Sequence, residues 1–587
     1  MKKHYETHVE DTDKLISVAG PVLDYKSWYE QYRKLMEEQA QRKYGLYTPT
    51  SEGDDDDFPS IPGITARYSA LGLTNEQMAA NPVWKNLTGN GHDLQMKNFS
   101  WKGMSGVGGY VGDFSKWVNN RDTTEIGITK SNSKVIIDVK VSQGSGKNIV
   151  FISKSNLGIS NNVTIKITST YPEGVMKFAN SASNKYLKLP SNGIITLQDN
   201  PEYTSNEMHL HLASADLGQI TIEQLPLYPG ALVFDGVDDY GTCNNFPILT
   251  KEKGYTVVAL RQWITRGEIA QGLVSNVKNW LKDGAFLLEY RNIQADHLNK
   301  PISFGAIGSE MDLPHILTYQ TSKSYNGVSI TTGNFEGTDV LHVGKLAPTN
   351  VETCINAAIW ELVFLDHDAT EEELTKIKDY FIKTYPWLFP NQAWTVTGKT
   401  NQDEDRATIA NITGNGNDLV LSNFGFIEGS GYNEEGEYAG YLVTDGVDDK
   451  IVSSVFGMGK DFTIVGDWKF IDNKKSGTGL VKGSSFYIYN TMTGLDLYIN
   501  SGSVTNRFDG IKSINAACSD GRVYDPNWDE ILANTGNVVG SGGTLEVSSS
   551  GGRFDRIAFK NFAIYPRILS KDDCIKAYNY LQTLKAK

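Results

Sequence analysis

The amino-acid sequence contains one set of three signatures twice, in the same order. The first two are Gly89-Asn-Gly-His-Asp-Leu94, which returns as Gly414-Asn-Gly-Asn-Asp-Leu419, and Asp235-Gly-Val-Asp-Asp239, which returns as Asp445-Gly-Val-Asp-Asp449. The third is a strand-like run that leads into a helix, over 357–381 and again over 555–581. Recurrence of this kind means that one structural unit is built twice, so the chain contains two copies of one domain.

The spacing of the signatures differs between the two copies. Gly89 and Asp235 lie about 115 residues further apart than Gly414 and Asp445, which is enough chain for a small domain. A surface loop accepts such an insertion when its two ends lie close together. The domains that we predict are an N-terminal docking segment with an acidic linker over 1–62, a first copy split into 63–104 and 229–390, an inserted domain over 105–228, and a second copy over 391–587.

Short β-branched segments dominate the chain and indicate an all-β fold class. The insertion contains seven of them, at 135–141, 148–152, 163–168, 186–189, 193–197, 208–213 and 219–223. Turn residues separate them, and each has one apolar face that a second sheet has to cover, so we predict an immunoglobulin-like β-sandwich. In the two copies only the closing segments are helical, and there Thr370 and Ser570 precede acidic residues in an order typical of capping boxes.

An amphipathic helix is predicted near the N-terminus, over 24–43. Its aromatic and apolar stripe recurs at spacings of three and four and comprises Tyr25, Trp28, Tyr29, Tyr32, Leu35 and Met36. A linker with a run of aspartates at 54–57 separates the helix from the rest of the chain. The helix either packs back on the body or docks on a partner. We favour the partner, because the linker would otherwise be unnecessary, and we therefore expect an α-helical anchor segment.

Composition and charge exclude several classes of function. The formal net charge is -14, whereas nucleic-acid affinity depends on Lys and Arg that neutralise phosphates, so we expect no nucleic-acid partner. No run of about 18 apolar residues occurs, so no membrane span is predicted. The N-terminal residues lack the pattern of a secretory signal, which predicts synthesis in the cytoplasm, and there the four cysteines should stay reduced.

The aspartate-rich signature has two interpretations. Calcium prefers several carboxylate and carbonyl oxygens. The candidate ligands are Asp235, Asp238 and Asp239 in the first copy and Asp445, Asp448 and Asp449 in the second. Alternatively, Asp-Gly is a strong turn dipeptide whose carboxylate accepts hydrogen bonds from neighbouring backbone amides. We favour the turn, because two copies share folding requirements more readily than a binding site. Ca2+ stays open as a cofactor, and no other cofactor is predicted.

Segments 232–240, 362–370 and 562–570 resemble the laminin G-like jelly-roll family of the concanavalin A-like lectin and glucanase superfamily. The resemblance implies two LamG-like jelly-roll sandwiches but not one function, since the superfamily includes lectins, hydrolases and structural modules. Segments 398–406 and 411–416 are similar to LamG-like domains in virion proteins of tailed bacteriophages that infect Bacteroides, the crAss-like group among them. That similarity implies a fibre, tail or capsid-associated protein located in the virion, with other virion proteins as partners.

The two copies lack the paired carboxylates of glycoside hydrolysis. Hydrolases of the superfamily place two carboxylates on one face of a strand, commonly as Glu-x-Asp-x-x-Glu, and neither copy contains that sequence. Asp366 and Asp368 form an Asp-x-Asp sequence in the turn before a closing helix. His209 and His211 alternate along one strand, and we interpret them as a solvated face rather than a metal site. We predict no catalytic residues and no enzyme activity.

Glycan binding needs an aromatic face for sugar C–H groups and polar side chains for sugar hydroxyls. Trp263 and Trp468 occupy equivalent strand positions in the two copies, which favours a place in the core. Trp280 and Trp528 have no counterpart and are our candidate ligand contacts. The predicted function is that of a virion structural protein, anchored by its N-terminal segment, whose lectin-like domains attach to host-surface glycans.

Two other functions stay open on the sequence alone. The chain could be a bacterial surface protein that binds glycans or processes polysaccharides, and a genomic neighbourhood of transporters and hydrolases would favour that function. It could also be an architectural virion protein whose jelly rolls only cement neighbouring subunits. A homo-oligomer is compatible with each of these functions.

Overall fold

The fold is that of a computed structural model, which describes residues 58–586 except 120–123, 142–146, 159–162, 181–185, 198–205, 214–215, 251, 266–270, 277–286, 292–304, 308–315, 330–337, 346–353, 472–477, 483–485, 491–493, 500–505, 510–512, 533–542, 548 and 551–552. The predicted docking helix, with Tyr25, Trp28, Tyr29, Tyr32, Leu35 and Met36, lies outside the described residues, as does the aspartate run of the linker.

The first repeat consists of two facing sheets. The main sheet has eight strands, in the order Val328–Ser329, Ser324–Tyr325, Leu317–Thr321, Thr256–Thr265, Asn356–Leu365, Leu232–Asp235 and Gly106–Val107, with Ile64–Ser69 also paired to Asn356–Leu365. The second sheet has seven, in the order Val83–Trp84, Leu94–Lys97, Tyr240–Cys243, Leu341–Val343, Gln271–Ser275, Leu287–Arg291 and Gly305–Ile307. Within this repeat only the last two strands are a parallel pair among the described residues.

The second repeat has the same arrangement of two facing sheets. Its main sheet has eight strands, in the order Gly431–Asn433, Tyr441–Val443, Ile557–Tyr565, Thr463–Phe470, Ala516–Cys518, Arg522–Tyr524 and Glu530–Leu532, with Gln392–Thr395 also paired to Ile557–Tyr565. The other eight-stranded sheet has the order Thr408–Ile409, Leu419–Ser422, Lys450–Phe456, Gly543–Val547, Thr478–Lys482, Phe486–Asn490, Gly494–Ile499 and Asn506–Asp509. A small ribbon pairs Ser549–Ser550 with Arg553–Phe554.

The inserted domain is a third sandwich, made of two five-stranded antiparallel sheets. One has the order Tyr186–Lys188, Met176–Ala179, Glu207–Leu212, Lys147–Ser153 and Val118–Asn119, and the other Asn192–Thr196, Thr164–Ser169, Gly218–Gln224, Lys134–Val139 and Ile126–Lys130. The seven predicted strands are all present, and the domain has its own apolar core. Gly106–Val107 pairs with Leu232–Asp235 of the first repeat, so that repeat's sheet extends past the boundary expected at residue 104.

Successive side chains of a strand point to opposite faces of its sheet. In both main sheets the side chains on both faces are apolar, so both faces are buried. In Thr256–Thr265, Val257 and Ala259 point into the core between the first repeat's sheets, whereas Val258 and Leu260 join a different apolar cluster on the opposite face. Strand Thr463–Phe470 shows the same alternation. The all-β fold class of facing antiparallel sheets is thus as the sequence predicts.

The opposite faces of the two main sheets belong to one apolar cluster, which we call the shared core. It contains residues of both main sheets, of the two closing helices Glu371–Thr384 and Lys571–Gln582, and of the 3-10 turn Pro386–Leu388. Hydrogen bonds cross it as well, because the Tyr565 hydroxyl donates to the Trp387 carbonyl at 2.9 Å. The two repeats therefore bury apolar surface against each other instead of being linked only through the chain.

The predicted helix caps are confirmed at one helix and half present at the other. Thr370 accepts a hydrogen bond from the amide of Glu373, and the Glu373 side chain accepts one from the amide of Thr370, which is a complete capping box. Ser570 accepts from the amide of Asp573 at 3.1 Å. Asp573 accepts from the Ser570 hydroxyl rather than from its backbone, since an aspartate side chain is shorter than a glutamate side chain.

Shorter helical elements occupy Asn75–Ala80, Lys154–Leu157 and the 3-10 turn Phe114–Lys116. In the described part of the chain, no helix has both the length and the apolar character that crossing a membrane requires. The four cysteines are buried and free in this fold, and their reduced state stays a prediction. His209 and His211 lie half-buried on the predicted strand, where the His211 Nδ1 is 3.0 Å from the Asn148 side-chain oxygen.

A buried ion pair distinguishes the first repeat from the second. Arg67 and Glu361 pair with side-chain exposures of 5% and 0%, and the Tyr385 hydroxyl donates to the other oxygen of Glu361 at 2.9 Å. By the strand register that both repeats share, the equivalent positions in the second repeat are Ala393 for Arg67 and Asn561 for Glu361. One copy thus uses a charge pair where the other uses neutral side chains.

Candidate functional site

The first aspartate-rich signature is a loop that joins the two sheets of the first repeat. Asp239, which is fully buried, accepts a hydrogen bond from the backbone amide of Asp235 at 3.1 Å and one from the Ser105 hydroxyl at 3.0 Å. Asp235 in turn accepts from the amide of Val237 at 2.8 Å, and Gly236 has a φ of 81°. The aspartates therefore close a tight turn, and the turn needs a residue without a side chain at Gly236.

The second signature repeats these hydrogen bonds. Asp449 accepts from the amide of Asp445 at 2.8 Å and from the Ser430 hydroxyl at 3.1 Å. Asp445 accepts from the amides of Val447 and Asp448 at 2.7 and 3.3 Å. The geometry agrees with the turn interpretation in both copies.

Each loop also brings three carboxylates together, as a cation site would. One oxygen from each aspartate of a loop lies within 4.8 Å of the others, for Asp235, Asp238 and Asp239 and for Asp445, Asp448 and Asp449. Burial, and then the charge of Asp235, raise the pKa of Asp239 to about 7. Burial raises the pKa of Asp449 to about 6. The turn hydrogen bonds are enough to explain why the two loops have the same arrangement. Calcium binding stays a prediction.

Of the two candidate ligand-contact tryptophans, the described part of the chain includes only Trp528. Trp280 lies outside the described residues. Trp528 is 1% exposed and packs in the shared core, with its ring 6.1 Å from that of Tyr524 and 5.6 Å from that of Tyr578. Protein therefore covers the ring that we expected to contact a ligand, because the end of the second main sheet packs under the closing helix. Trp263 and Trp468 are buried, as predicted.

A cleft between the two repeats offers an accessible apolar surface, which the covered ring of Trp528 does not. Its volume is about 460 Å3, and its walls come from the strand Leu317–Thr321 and the closing helix of the first repeat, from the connection between the repeats, and from the second repeat. We call it the inter-repeat cleft. Tyr319 and Phe389, both half-buried, form part of its apolar wall. The shared core holds the two walls in place, because both repeats pack into it.

The Gly-Asn-Gly turn of the second repeat forms one edge of the inter-repeat cleft. Gly414 and Gly416 have φ values of 76° and 68°, as the predicted turn requires. The Asn411 side chain donates to the Gly416 carbonyl and holds the turn closed. Asn415, at the tip, lines the cleft and donates to the Asn391 carbonyl at 2.8 Å. A motif that the sequence indicates only as a turn therefore also supplies a polar side chain to the cleft.

Two further polar groups in the cleft have unmet hydrogen-bonding capacity. Tyr580 is 1% exposed, and within the described ranges its hydroxyl has no hydrogen-bond partner. Burial raises the pKa of this hydroxyl well above its usual value, so it stays protonated and able to donate. The side-chain nitrogen of Asn326 also lacks a described partner, while its oxygen accepts from the amide of Tyr319 at 2.9 Å. Both atoms are almost fully shielded from solvent, so they lie behind the surface of the cleft.

Two cations border the inter-repeat cleft. Arg567 is half-buried, and its Nη1 donates to the Ile382 carbonyl at 3.2 Å. Burial lowers the pKa of the Arg567 guanidinium, and no carboxylate among the described residues pairs with it. Lys378 lies exposed on the closing helix of the first repeat. The sequence did not indicate this site, because its residues come from both copies and meet only through the packing of the repeats.

No protein-family model matches the chain, and no curated protein does. Among solved structures, the chain is similar to the Trypanosoma rangeli sialidase in complex with sialic acid, with 10% identity and a TM-score of 0.24 over 78% of this chain and 85% of that one. It is also similar to the binding domain of botulinum neurotoxin serotype C1, with 13% identity and a TM-score of 0.23 over 32% of this chain and 52% of that one.

Other matches are partial. The chain covers 53% of a structure described as a receptor binding domain and 61% of the Trypanosoma rangeli sialidase in complex with difluorosialic acid, less than two thirds of each. These neighbours are thus a receptor binding domain, a neurotoxin binding domain and a sialidase. Identities and TM-scores this low carry no argument about the function of the present chain.

Proposed function

We propose that the chain binds glycans, without cleaving them, in the inter-repeat cleft. The observation that carries this proposal is that a cleft of about 460 Å3 combines an apolar wall with polar side chains, among them Asn415 and the half-buried Arg567. Small-molecule sites have this composition, in which apolar surface supplies contact and a few polar groups fix orientation. Tyr319 and Phe389 supply the apolar surface, and Asn415 and Arg567 supply polar groups.

The chemistry of sugars fits these groups. A pyranose has C–H groups that stack on an aromatic face and hydroxyls that both donate and accept hydrogen bonds. The Asn415 side chain donates to the Asn391 carbonyl and keeps its amide oxygen as an acceptor for a sugar hydroxyl.

We test this proposal with the full chain on a glycan array, followed by calorimetry with the best-bound oligosaccharide. Asn415→Ala should weaken binding about fivefold to tenfold, because one side-chain hydrogen bond is worth about 1 kcal/mol. Asn90→Ala is the matched control, since Asn90 holds the equivalent exposed position in the first repeat and does not line the cleft. Absence of glycan binding, or equal affinity for the two variants, would contradict the proposal. Release of sugar products would contradict the proposal that the chain does not cleave the glycans it binds.

The proposal extends to a role in a bacteriophage virion. Support for that role comes from segments 398–406 and 411–416, which are similar to virion LamG-like domains. In this role the N-terminal segment anchors the protein on other virion proteins, and the cleft attaches the particle to the host surface. Immunogold labelling of particles with an antibody to the chain should decorate them at a fixed location, and unlabelled particles would contradict the role. Labelled particles whose adsorption is unchanged by Asn415→Ala would instead favour an architectural protein.

A further inference from the structure

We infer that the ligand of the inter-repeat cleft is an acidic sugar, whose carboxylate pairs with Arg567. This inference rests on the proposed glycan-binding function and specifies its ligand class. It starts from the placement of Arg567 directly after the strand Ile557–Tyr565, at the edge of the cleft.

The Arg567 guanidinium has only part of its hydrogen-bonding capacity met. Its Nη1 donates to the Ile382 carbonyl, and within the described part of the chain neither Nε nor Nη2 has a partner. In a guanidinium group these two donors lie on the same edge, and together they match the two oxygens of a carboxylate. The bond to Ile382 uses Nη1 and leaves the edge formed by Nε and Nη2 without a described partner. The side chain therefore has the geometry for a bidentate bond to one carboxylate.

The charge around Arg567 also favours an anion. The whole chain has 69 Asp and Glu residues against 55 Lys and Arg residues. Yet the described residues that line the cleft include Arg567 and Lys378 and no acidic side chain. A half-buried cation without a counter-ion costs free energy, and a bound anion offsets that cost. Lys378 lies at the solvent side, where it adds a weaker and screened attraction.

The neutral groups of the cleft favour a sugar over a bare anion. Asn415 offers an amide at the edge of the cleft, which suits sugar hydroxyls. Tyr319 and Phe389 provide apolar surface that a small inorganic anion would not use. A sugar with one carboxylate, such as a uronic acid, satisfies both halves of the cleft.

The test compares two probes that differ in one group. The full chain is titrated calorimetrically with an oligosaccharide that ends in a uronic acid, and with the same oligosaccharide after its carboxylate has been reduced to the alcohol. We expect the reduction to weaken binding at least about tenfold, because a bidentate bond between a guanidinium and a carboxylate is lost. A third probe, in which a sulfate replaces the carboxylate, tests whether the site requires the planar anion.

Variants assign the effect to particular residues. Arg567→Gln should lose the discrimination between the acid and the alcohol, and Arg567→Lys, which keeps the charge but not the two-pronged edge, should retain part of it. Lys378→Gln should weaken binding of the acid about twofold to threefold, since exposed charges interact weakly. Lys376→Gln is the matched control, because Lys376 is exposed on the same helix, pairs with Glu372 at 2.7 Å and does not line the cleft.

The outcomes separate this inference from the proposed function. Equal binding of the acid and its alcohol would overturn the acidic-sugar assignment and leave glycan binding intact. Preferred binding of the sulfated probe would overturn the carboxylate assignment. Binding of no glycan, neutral or acidic, would overturn the proposed function itself. Arg567→Gln also removes the bond to Ile382. If that variant does not fold, Lys378→Gln takes its place in the comparison, because Lys378 is exposed.

Discussion

Among single residues, the buried carboxyl group of Asp239 should make folding depend on pH. Its pKa of about 7 lies above the value of an unfolded chain, because of burial and then the charge of Asp235. A raised pKa in the folded state stabilises the fold at low pH, and this contribution is lost as the pH rises through about 7. Asp235→Asn removes the neighbouring charge and keeps an oxygen for the Val237 amide. The variant should therefore lose less stability than the native chain between about pH 4 and 7.

Urea unfolding at a series of pH values measures the slope of the unfolding free energy against pH. Asp445→Asn serves as the control in the second repeat, where burial raises the pKa of Asp449 and the charge of Asp445 has less effect than the hydrogen bonds from the Asp445 amide and Ser430. Its effect on the slope should be smaller. Identical slopes for the native chain and Asp235→Asn would show that Asp235 does not perturb Asp239. Repeating the measurement with Ca2+ also tests the calcium interpretation, since a bound cation would raise the stability at neutral pH.

The ion pair of Arg67 and Glu361 leads to a second prediction about single residues. Arg67→Ala leaves the fully buried Glu361 with one partner fewer and should cost about 3–5 kcal/mol of unfolding free energy. Adding Glu361→Asn copies the residues of the second repeat at both positions and removes the unpaired charge. The double variant should be more stable than Arg67→Ala alone. A double variant that is less stable than either single variant would contradict this account.

Among the secondary-structure elements, the closing helices depend on their caps. Thr370→Ala removes a complete capping box and should cost about 1 kcal/mol, and Ser570→Ala, which removes the simpler cap, should cost less. Thr375→Ala in the same helix is the control, because Thr375 bonds back to the Glu371 carbonyl and is exposed. The control should be neutral or slightly stabilising. Equal losses for Thr370→Ala and Thr375→Ala in thermal unfolding would contradict a capping role.

For the whole molecule, the shared core couples the stability of the two repeats. Hydrogen exchange at increasing urea should show the strands Asn356–Leu365 and Ile557–Tyr565 losing protection together, because each forms part of that core. Arg67→Ala, which acts in the first repeat, should lower the urea midpoint of both strands. A midpoint that shifts only for the first strand would mean that the repeats unfold independently.

The sequence predicts the parts of this architecture that depend on local chemistry. Recurring signatures and β-branched segments indicate two related domains and an inserted sandwich, because strands and turns are encoded over a few residues. The inter-repeat cleft could not be predicted in that way. Tyr319, Asn415 and Arg567 are distant in sequence, and they meet only because the outer faces of two main sheets are apolar. Trp528 illustrates the same limit, since a ring without a counterpart is covered by a helix of its own repeat.

A cleft whose walls come from two copies changes what natural selection can act on after a duplication. While two copies are separate, a substitution in either one affects only that domain. Once the copies are fused back to back, a substitution on either side of the seam alters one common pocket, and each copy is free to specialise for its own side. The difference between Arg567 and His367, which holds the equivalent position in the first repeat, then records a division of labour within one molecule. A lineage with a different ligand should differ first along this seam, while the turns that both copies need stay the same.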